Sequence, residues 1–182
     1  MATVKLAEVV LLERRDRLCA VMKPLRGSLA RVSCDFSPAP VEGGRVLAIH
    51  DGGVSKLPYR RWCFRTHVKG LRAAYFELWK PAGAGSELRL DRAYFTLMQV
   101  VGPDKPYREL LGIHCDPDDA SRLKKGPHLH VAHAHDPLPH CHFPLNLGHL
   151  DSILTDIAEL TYAIELALGV VAEDVLPRYQ VA

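Results

Sequence analysis

Histidine is concentrated in one short stretch of this chain. Seven of the ten histidines lie between positions 128 and 149. Six of them form three His-x-His pairs: a first pair, His128 and His130; a middle pair, His133 and His135; and a last pair, His140 and His142. Imidazole binds transition metals and transfers protons near neutral pH. The repeated spacing therefore predicts a chemical site in this tract.

The spacing also predicts how these side chains are presented. In an extended strand, residues two apart project from the same face, so the members of each pair would lie side by side. Residues 136–139, with two prolines, are typical of a turn. We therefore predict a β-hairpin that carries the first and last pairs on one face. The middle pair is out of phase and would lie at a bulge or in the loop.

Two kinds of chemistry fit such a hairpin. Histidines around one divalent ion with an open position form a catalytic metal site, and zinc is the ion that we expect first. Without a metal, the same imidazoles could act as general acid and base, as a ribonuclease requires. The sequence leaves both alternatives open. In either case the first and last pairs would be catalytic, and all three pairs are candidate metal ligands.

Charged residues outside the tract add to this prediction. Lys124 stands just before the first pair and could hold a phosphate and stabilise developing negative charge. Asp91 is the carboxylate that we expect to orient a histidine or to complete a metal shell. His114, followed by Cys115 and Asp116, is a further candidate ligand or base.

Cations alternate with aromatic residues over positions 59–72. Aromatic rings can stack on nucleobases while arginines hold phosphates, so this segment favours RNA or DNA as a partner. The alternative is a strand whose aromatics lie in the core. The net charge of +2 is too small to attract nucleic acid strongly by itself.

The chain contains no Walker phosphate loop, no Gly-x-Gly-x-x-Gly and no His-Glu-x-x-His sequence. Their absence from the sequence argues against a nucleotide-binding α/β fold and a helical zincin.

Composition is that of an ordinary globular protein. The 182 residues are 48% hydrophobic and 24% charged, which suffices for one core. We expect a single domain over residues 1–182, in which residues 1–57 could form an N-terminal subdomain beside a histidine-rich core of residues 58–182. The five cysteines include no Cys-x-x-Cys pair, and no apolar run approaches transmembrane length. We therefore expect a cytoplasmic protein without a membrane partner.

The pattern of apolar residues predicts an α+β fold, with an antiparallel β-sheet of hairpins packed against a long C-terminal helix. Residues 74–79 and 87–101 read as two strands joined by a glycine-containing turn. Residues 109–115 predict a further strand, and residues 18–22 and 29–32 predict short ones.

The C-terminal third changes to helical periodicity. Apolar residues recur every three or four positions from Leu150 to Leu168, which predicts one long amphipathic helix. Asp151 or Ser152 would cap its start and Gly169 would end it. This helix is also where we expect a protein partner or a second copy of the chain to bind.

The histidine region resembles that of a known family. Residues 122–130, Arg-Leu-Lys-Lys-Gly-Pro-His-Leu-His, and residues 139–143, Pro-His-Cys-His-Phe, resemble the core of small bacterial toxins of the TumE type. The resemblance covers at most residues 71–168, and the family's Arg-x-Asp, which leads directly into its histidines, stands well upstream here, at positions 89–91. The resemblance implies a cytoplasmic prokaryotic protein that acts on RNA and has a neutralising partner.

These observations support two functional hypotheses. The first is a histidine-cluster hydrolase, a metal-dependent or acid–base nuclease acting on RNA or DNA, with a role as a toxin or in defence. The alternative is a non-catalytic zinc-binding or protein-interaction module. A cupin-like metal barrel also carries His-x-His on a strand, but the glutamate expected downstream is missing here.

Overall fold

The structure, a computed structural model, describes residues 4–26, 33–38, 43–51, 62–83, 85–102, 107–131, 141–145 and 150–179. Within these ranges the strands are β1 (Lys5–Ala7), β2 (Ser33–Pro38), β3 (Arg45–His50), β4 (Phe64–Arg65), β5 (Leu71–Pro81), β6 (Glu87–Val100), β7 (Tyr107–Cys115), β8 (His128–Val131) and β9 (Cys141–Pro144). The helices are α1 (Glu8–Val21), α2 (Arg122–Lys125), α3 (Leu150–Thr155) and α4 (Ile157–Val170). The predicted α+β fold is confirmed.

All the described strands belong to one antiparallel sheet. Its order is β2–β3–β5–β6–β7–β8–β9, with β1 paired to β6 and β4 paired to β5. The predicted hairpin of residues 74–79 and 87–101 forms its centre, as β5 and β6. The predicted strand at residues 109–115 is β7. The histidine-bearing strands β8 and β9 stand at the end of this order.

The two faces of the sheet have different roles. One face, called the helix face, packs against α1 and α4, and its core includes Leu11, Leu18, Tyr75, Trp79, Phe95, Ile113, Leu160 and Ile164. The opposite face, called the far face, has a smaller apolar cluster made of Val46, Ala48, Trp62, Phe76 and Leu78, with Tyr94 against it. Alternate residues of each strand supply the two faces.

Elements before residue 57 share this sheet and this core. β1 pairs with β6, and β3 pairs with β5. Residues 18–22, predicted as a strand, instead continue α1 into a turn. Leu11, Leu18 and Met22 are all buried at helical spacing. The segment is therefore stabilised as a helix because its apolar side packs against the sheet. The strand predicted at residues 29–32 lies outside the described residues.

The C-terminal helix is interrupted, contrary to the prediction. The chain leaves the helix at Asp156, whose carboxylate accepts hydrogen bonds from the amides of Ala158 (2.7 Å) and Glu159 (3.4 Å) and so caps α4. The apolar repeat runs through this break because α3 and α4 bury the same side. Gly169 does not end α4, which continues as a π-helical turn (Val171–Val175) and a 3-10 turn (Leu176–Tyr179).

The described helices include none with the length and hydropathy needed to span a bilayer.

Candidate metal centre

The first histidine pair and position 142 of the last pair lie on neighbouring strands, as the spacing predicts. β8 and β9 pair antiparallel, and position 142 lies directly opposite His130. β8 also pairs with β7, where His114 is opposite His128 and Gly112 is opposite His130. His140 and the middle pair, His133 and His135, lie outside the described residues, so their roles stay predictions.

Register explains why His114 contacts both histidines of the first pair. Tyr94, His114 and His128 are opposite one another on β6, β7 and β8. In the adjacent row Gly112 has no side chain, and the ring of His114 leans over it, so that a Cβ added at position 112 would lie 2.7 Å from His114 Nε2. The ring of His114 therefore stacks on Tyr94 at 4.1 Å and on His130 at 4.8 Å between centroids.

Histidines and carboxylates on the far face form two groups that could each hold a metal ion. The inner group comprises His114, Asp116 and His128, and the outer group comprises Glu109, His114 and His130. In each group the candidate ligand atoms lie within 4.8 Å of one another. His128 is fully buried, whereas the other four side chains are half-buried. His114 belongs to both groups.

The inner group is oriented by a further layer of contacts. His128 Nδ1 lies 3.1 Å from the carbonyl oxygen of Gly126. A carbonyl can only accept, so in the neutral ring Nδ1 carries the proton and Nε2 is the nitrogen that could bind a metal. Nε2 lies 4.0 Å from Asp116 Oδ2, which is longer than a hydrogen bond. The other oxygen of Asp116 accepts a hydrogen bond from the Tyr94 hydroxyl.

Asp116 is held in a partly desolvated position. Burial raises the pKa of its carboxyl above the ordinary value, and the Tyr94 hydroxyl, His128 and Arg92 oppose that shift. A divalent cation would favour the ionised carboxylate in the same way as these neighbours, only more strongly. The net pKa of Asp116 is raised, so a cation bound here would offset the cost of burying its charge.

The outer group depends on an irregularity in β7. Leu97 pairs with Leu111 but Met98 pairs with Glu109, so Leu110 is an extra residue. Leu110 and Leu111 both pack against the core of the helix face. This bulge turns Glu109 to the far face, although an unbroken strand would place it on the helix face with Ile113. Glu109 Oε1 then lies 2.8 Å from His130 Nδ1.

Two other residues predicted to belong to the site, Asp91 and Lys124, lie outside the inner and outer groups. Asp91 binds Lys80 at 2.7 Å and Arg92 at 2.9 Å and belongs to neither group. The backbone carbonyl of Lys124 accepts a hydrogen bond from the Asp116 amide at 3.0 Å, which places this lysine beside the inner group. Its predicted contact with phosphate stays a prediction.

The aromatics of residues 59–72 are only partly described. Trp62 and Phe64 are buried, which fits a strand with aromatics in the core and leaves these two rings inaccessible to a nucleobase. Residues 59–61 lie outside the described part of the chain.

The two carboxylates of these groups, Glu109 and Asp116, are not among the ligands predicted from the sequence. Asp116 follows His114 at the same two-residue spacing as the histidine pairs, and that signal could have identified it. Glu109 lies five residues before His114, an odd spacing that predicts opposite faces. Only the bulge brings the two together.

No protein-family model, curated protein or solved structure matches this chain. The resemblance to TumE-type toxins therefore stays a prediction.

Proposed function

We propose that the chain is a metal-dependent hydrolase of the nuclease type, whose divalent ion, zinc in the first instance, is held by His114, Asp116 and His128. The observation that carries the proposal is the convergence of these three donors. Two histidines and one carboxylate with an open position form a recurrent ligand set of catalytic zinc. Gly126 and Tyr94 orient two of the donors, as outer contacts do in metal sites.

The half-buried side of the inner group leaves access for a substrate. His128 is enclosed, whereas His114 and Asp116 reach the surface of the far face. A bound ion there would polarise a phosphoryl oxygen and lower the pKa of a coordinated water. The chain's own contribution is to hold the three donors in place and to leave that side open.

Cations beside the inner group support an anionic substrate. Arg92 is close enough to Asp116 to lower the pKa of its carboxyl, and the backbone of Lys124 is bonded to Asp116. Positive side chains in these places favour a phosphodiester. RNA is the substrate to test first, because the resemblance to TumE-type toxins implies it, and DNA is the second.

The test compares two carboxylates of the same loop. Asp116→Asn removes a donor of the inner group with little change of shape. Asp118→Asn is the matched control, because Asp118 is exposed and binds Arg89 instead. The 182-residue chains, purified without a histidine tag, are assayed for bound metal and for cleavage of labelled RNA and DNA with added Zn²⁺ or Mn²⁺.

We expect the wild type and Asp118→Asn to bind metal and to cleave, and Asp116→Asn to bind at least tenfold more weakly and to lose cleavage. Equal cleavage by both variants would point to a contaminating nuclease and overturn the proposal. Metal-free wild type that gains no activity from either ion would overturn it as well.

A non-catalytic zinc site is the second candidate, favoured by the complete burial of His128. Structural zinc sites are closed, and removal of the metal unfolds them. Chelation followed by circular dichroism separates the two candidates. The hydrolase retains its fold and loses activity, whereas the structural site loses its fold.

The resemblance extends the proposal to a toxin with a neutralising partner. The outer face of α4 is the surface that we predict for a partner or for a second copy. It exposes Tyr162, Leu166 and Val170 at four-residue intervals.

A further inference from the structure

His114 is shared by two complete sets of donors. The five side chains of the inner and outer groups exceed the three protein ligands that one catalytic zinc ion takes. Each group also contains one carboxylate, Asp116 in the inner group and Glu109 in the outer group. We propose, building on the metal site of the proposed function, that the centre holds two divalent ions and that the imidazole of His114 bridges them.

The spacing along β8 agrees with a bridged pair. His128 and His130 belong to different groups, and two residues of a strand span about 6.6 Å at roughly 3.3 Å per residue. An imidazole that binds zinc through both nitrogens, at about 2.0–2.1 Å each, holds the two ions about 6 Å apart. The two separations match, so one ion can lie beside each histidine of β8 with His114 between them.

The orientation of the His114 ring agrees as well. An imidazole binds ions through lone pairs in the plane of its ring, so both ions would lie in the plane of the His114 ring and not against the ring of Tyr94 that stacks on it. The edge that carries Nε2 lies over Gly112, which is the register partner of His130. An imidazole has a second ring nitrogen, Nδ1, which a bridge would use for the inner ion.

Binding of the second ion should release a proton from His114, which distinguishes it from binding of the first ion. A neutral imidazole has one nitrogen with a free lone pair and one N–H. The first ion takes the lone pair, and the second ion replaces the N–H proton, which passes to the solvent. No oxidant or reductant is needed. Binding of the second ion therefore releases one proton from His114 in addition to any released by the other ligands.

The experiment counts the ions bound to the 182-residue chain. Metal-free protein is titrated with Zn²⁺ and the ions bound per chain are counted by native mass spectrometry, for the wild type and for Glu109→Gln, Asp116→Asn and Asp118→Asn. Circular dichroism confirms that each variant is folded. We expect Glu109→Gln and Asp116→Asn each to bind one ion fewer than the wild type, and Asp118→Asn to bind the same number.

The bridge itself is tested with Cu²⁺. Two Cu²⁺ ions joined by an imidazolate couple magnetically, so the paramagnetic resonance signal per copper should be weaker in the wild type than in Glu109→Gln. An unchanged ion count in Glu109→Gln, with one ion lost in Asp116→Asn, would overturn the second ion and leave the proposed function standing. Two ions without magnetic coupling would overturn the bridge. A wild type that binds no ion would overturn both proposals.

Discussion

The guanidinium of Arg14 and the carboxylate of Glu77 form a bidentate ion pair in the core, with Nε of Arg14 2.8 and 3.0 Å from the two oxygens. The two side chains are 3% and 0% exposed. Tyr75 and Trp79 also donate hydrogen bonds to the carboxylate, and Thr161 accepts one from the guanidinium. The pair thus joins α1, β5 and α4 at the centre of the helix face.

Replacement of Arg14 by methionine should be severely destabilising. It leaves the Glu77 carboxylate buried without a counter-charge, for which the expected loss is about 3–5 kcal/mol of unfolding free energy. Urea unfolding followed by circular dichroism measures it. Arg17→Met is the control, because Arg17 pairs with Glu165 at the surface at 3.6 Å and should change stability by less than about 1 kcal/mol. Similar losses in the two variants would contradict the prediction.

Gly112→Ala should weaken metal binding more than it weakens the fold. A Cβ at position 112 would lie 2.7 Å from His114 Nε2 and 3.3 Å from the carbonyl oxygen of Phe95, so the ring of His114 has to leave its place. We expect at least a tenfold loss of Zn²⁺ affinity by calorimetric titration. Gly169→Ala is the matched control, since its Cβ meets no atom within 4 Å, and it should leave affinity unchanged. Unaltered affinity in Gly112→Ala would mean that His114 is not a ligand.

Asp91 should make stability depend on acid pH. Burial raises the pKa of Asp91, but hydrogen bonds and charges from Lys80 and Arg92 outweigh it, and the net pKa lies below the ordinary value. A carboxyl whose pKa is lower in the folded chain stabilises it above the unfolded value, about 3.9, and loses this contribution as the pH falls through the folded value. Asp91→Asn should therefore lower stability by about 0.5–1 kcal/mol at pH 7, given partial solvent screening.

The difference between wild type and Asp91→Asn should shrink between pH 4 and pH 2.5, as measured by urea unfolding at each pH. Asp16→Asn serves as the control, because Asp16 and its partner Arg15 are both exposed. A difference for Asp91→Asn that stays constant down to pH 2.5 would show that the ion pairs with Lys80 and Arg92 do not stabilise the fold.

Loss of the Asp156 cap should loosen the start of α4. Asp156→Ala removes the acceptor of the Ala158 and Glu159 amides, for which the expected loss is about 1 kcal/mol, within a range of about 0.5–2. Thermal and urea unfolding both report it. Asp151→Ala, in the first turn of α3, should lose only a few tenths of a kcal/mol through the helix dipole. A larger loss of unfolding free energy in Asp151→Ala than in Asp156→Ala would contradict the assignment of Asp156 as the helix cap.

The sequence predicts those parts of the fold that depend on local alternation. β5 and β6 follow from alternating apolar segments joined by a glycine-containing turn, since one apolar face is enough to define a strand. The start of the chain does not follow, because α1 contains Arg14, whose burial depends on Glu77 more than sixty positions away. The break at Asp156 is also hidden, because the apolar repeat continues across it.

The candidate site could be predicted to the extent that it uses regular strand geometry. The pairing of β8 with β9 follows from the His-x-His spacing and from the prolines between the first and last pairs. The contribution of Glu109 could not be predicted, because a bulge reverses the face of the sheet on which Glu109 lies. No local sequence pattern identifies Leu110 as the extra residue of that bulge.

The division between the helix face and the far face makes β6, β7 and β8 a scaffold that can be re-engineered. Within the bulge-free segments 93–97, 111–115 and 128–130, odd-numbered positions such as Phe95, Ile113 and Leu129 pack in the core of the helix face. Even-numbered positions of these segments, such as Tyr94 and His114, lie on the far face at the candidate metal centre. Core packing and the candidate site therefore use alternate residues of the same three strands. A designer could install a different ligand set on the even positions of these segments while keeping every side chain on which the helices rest.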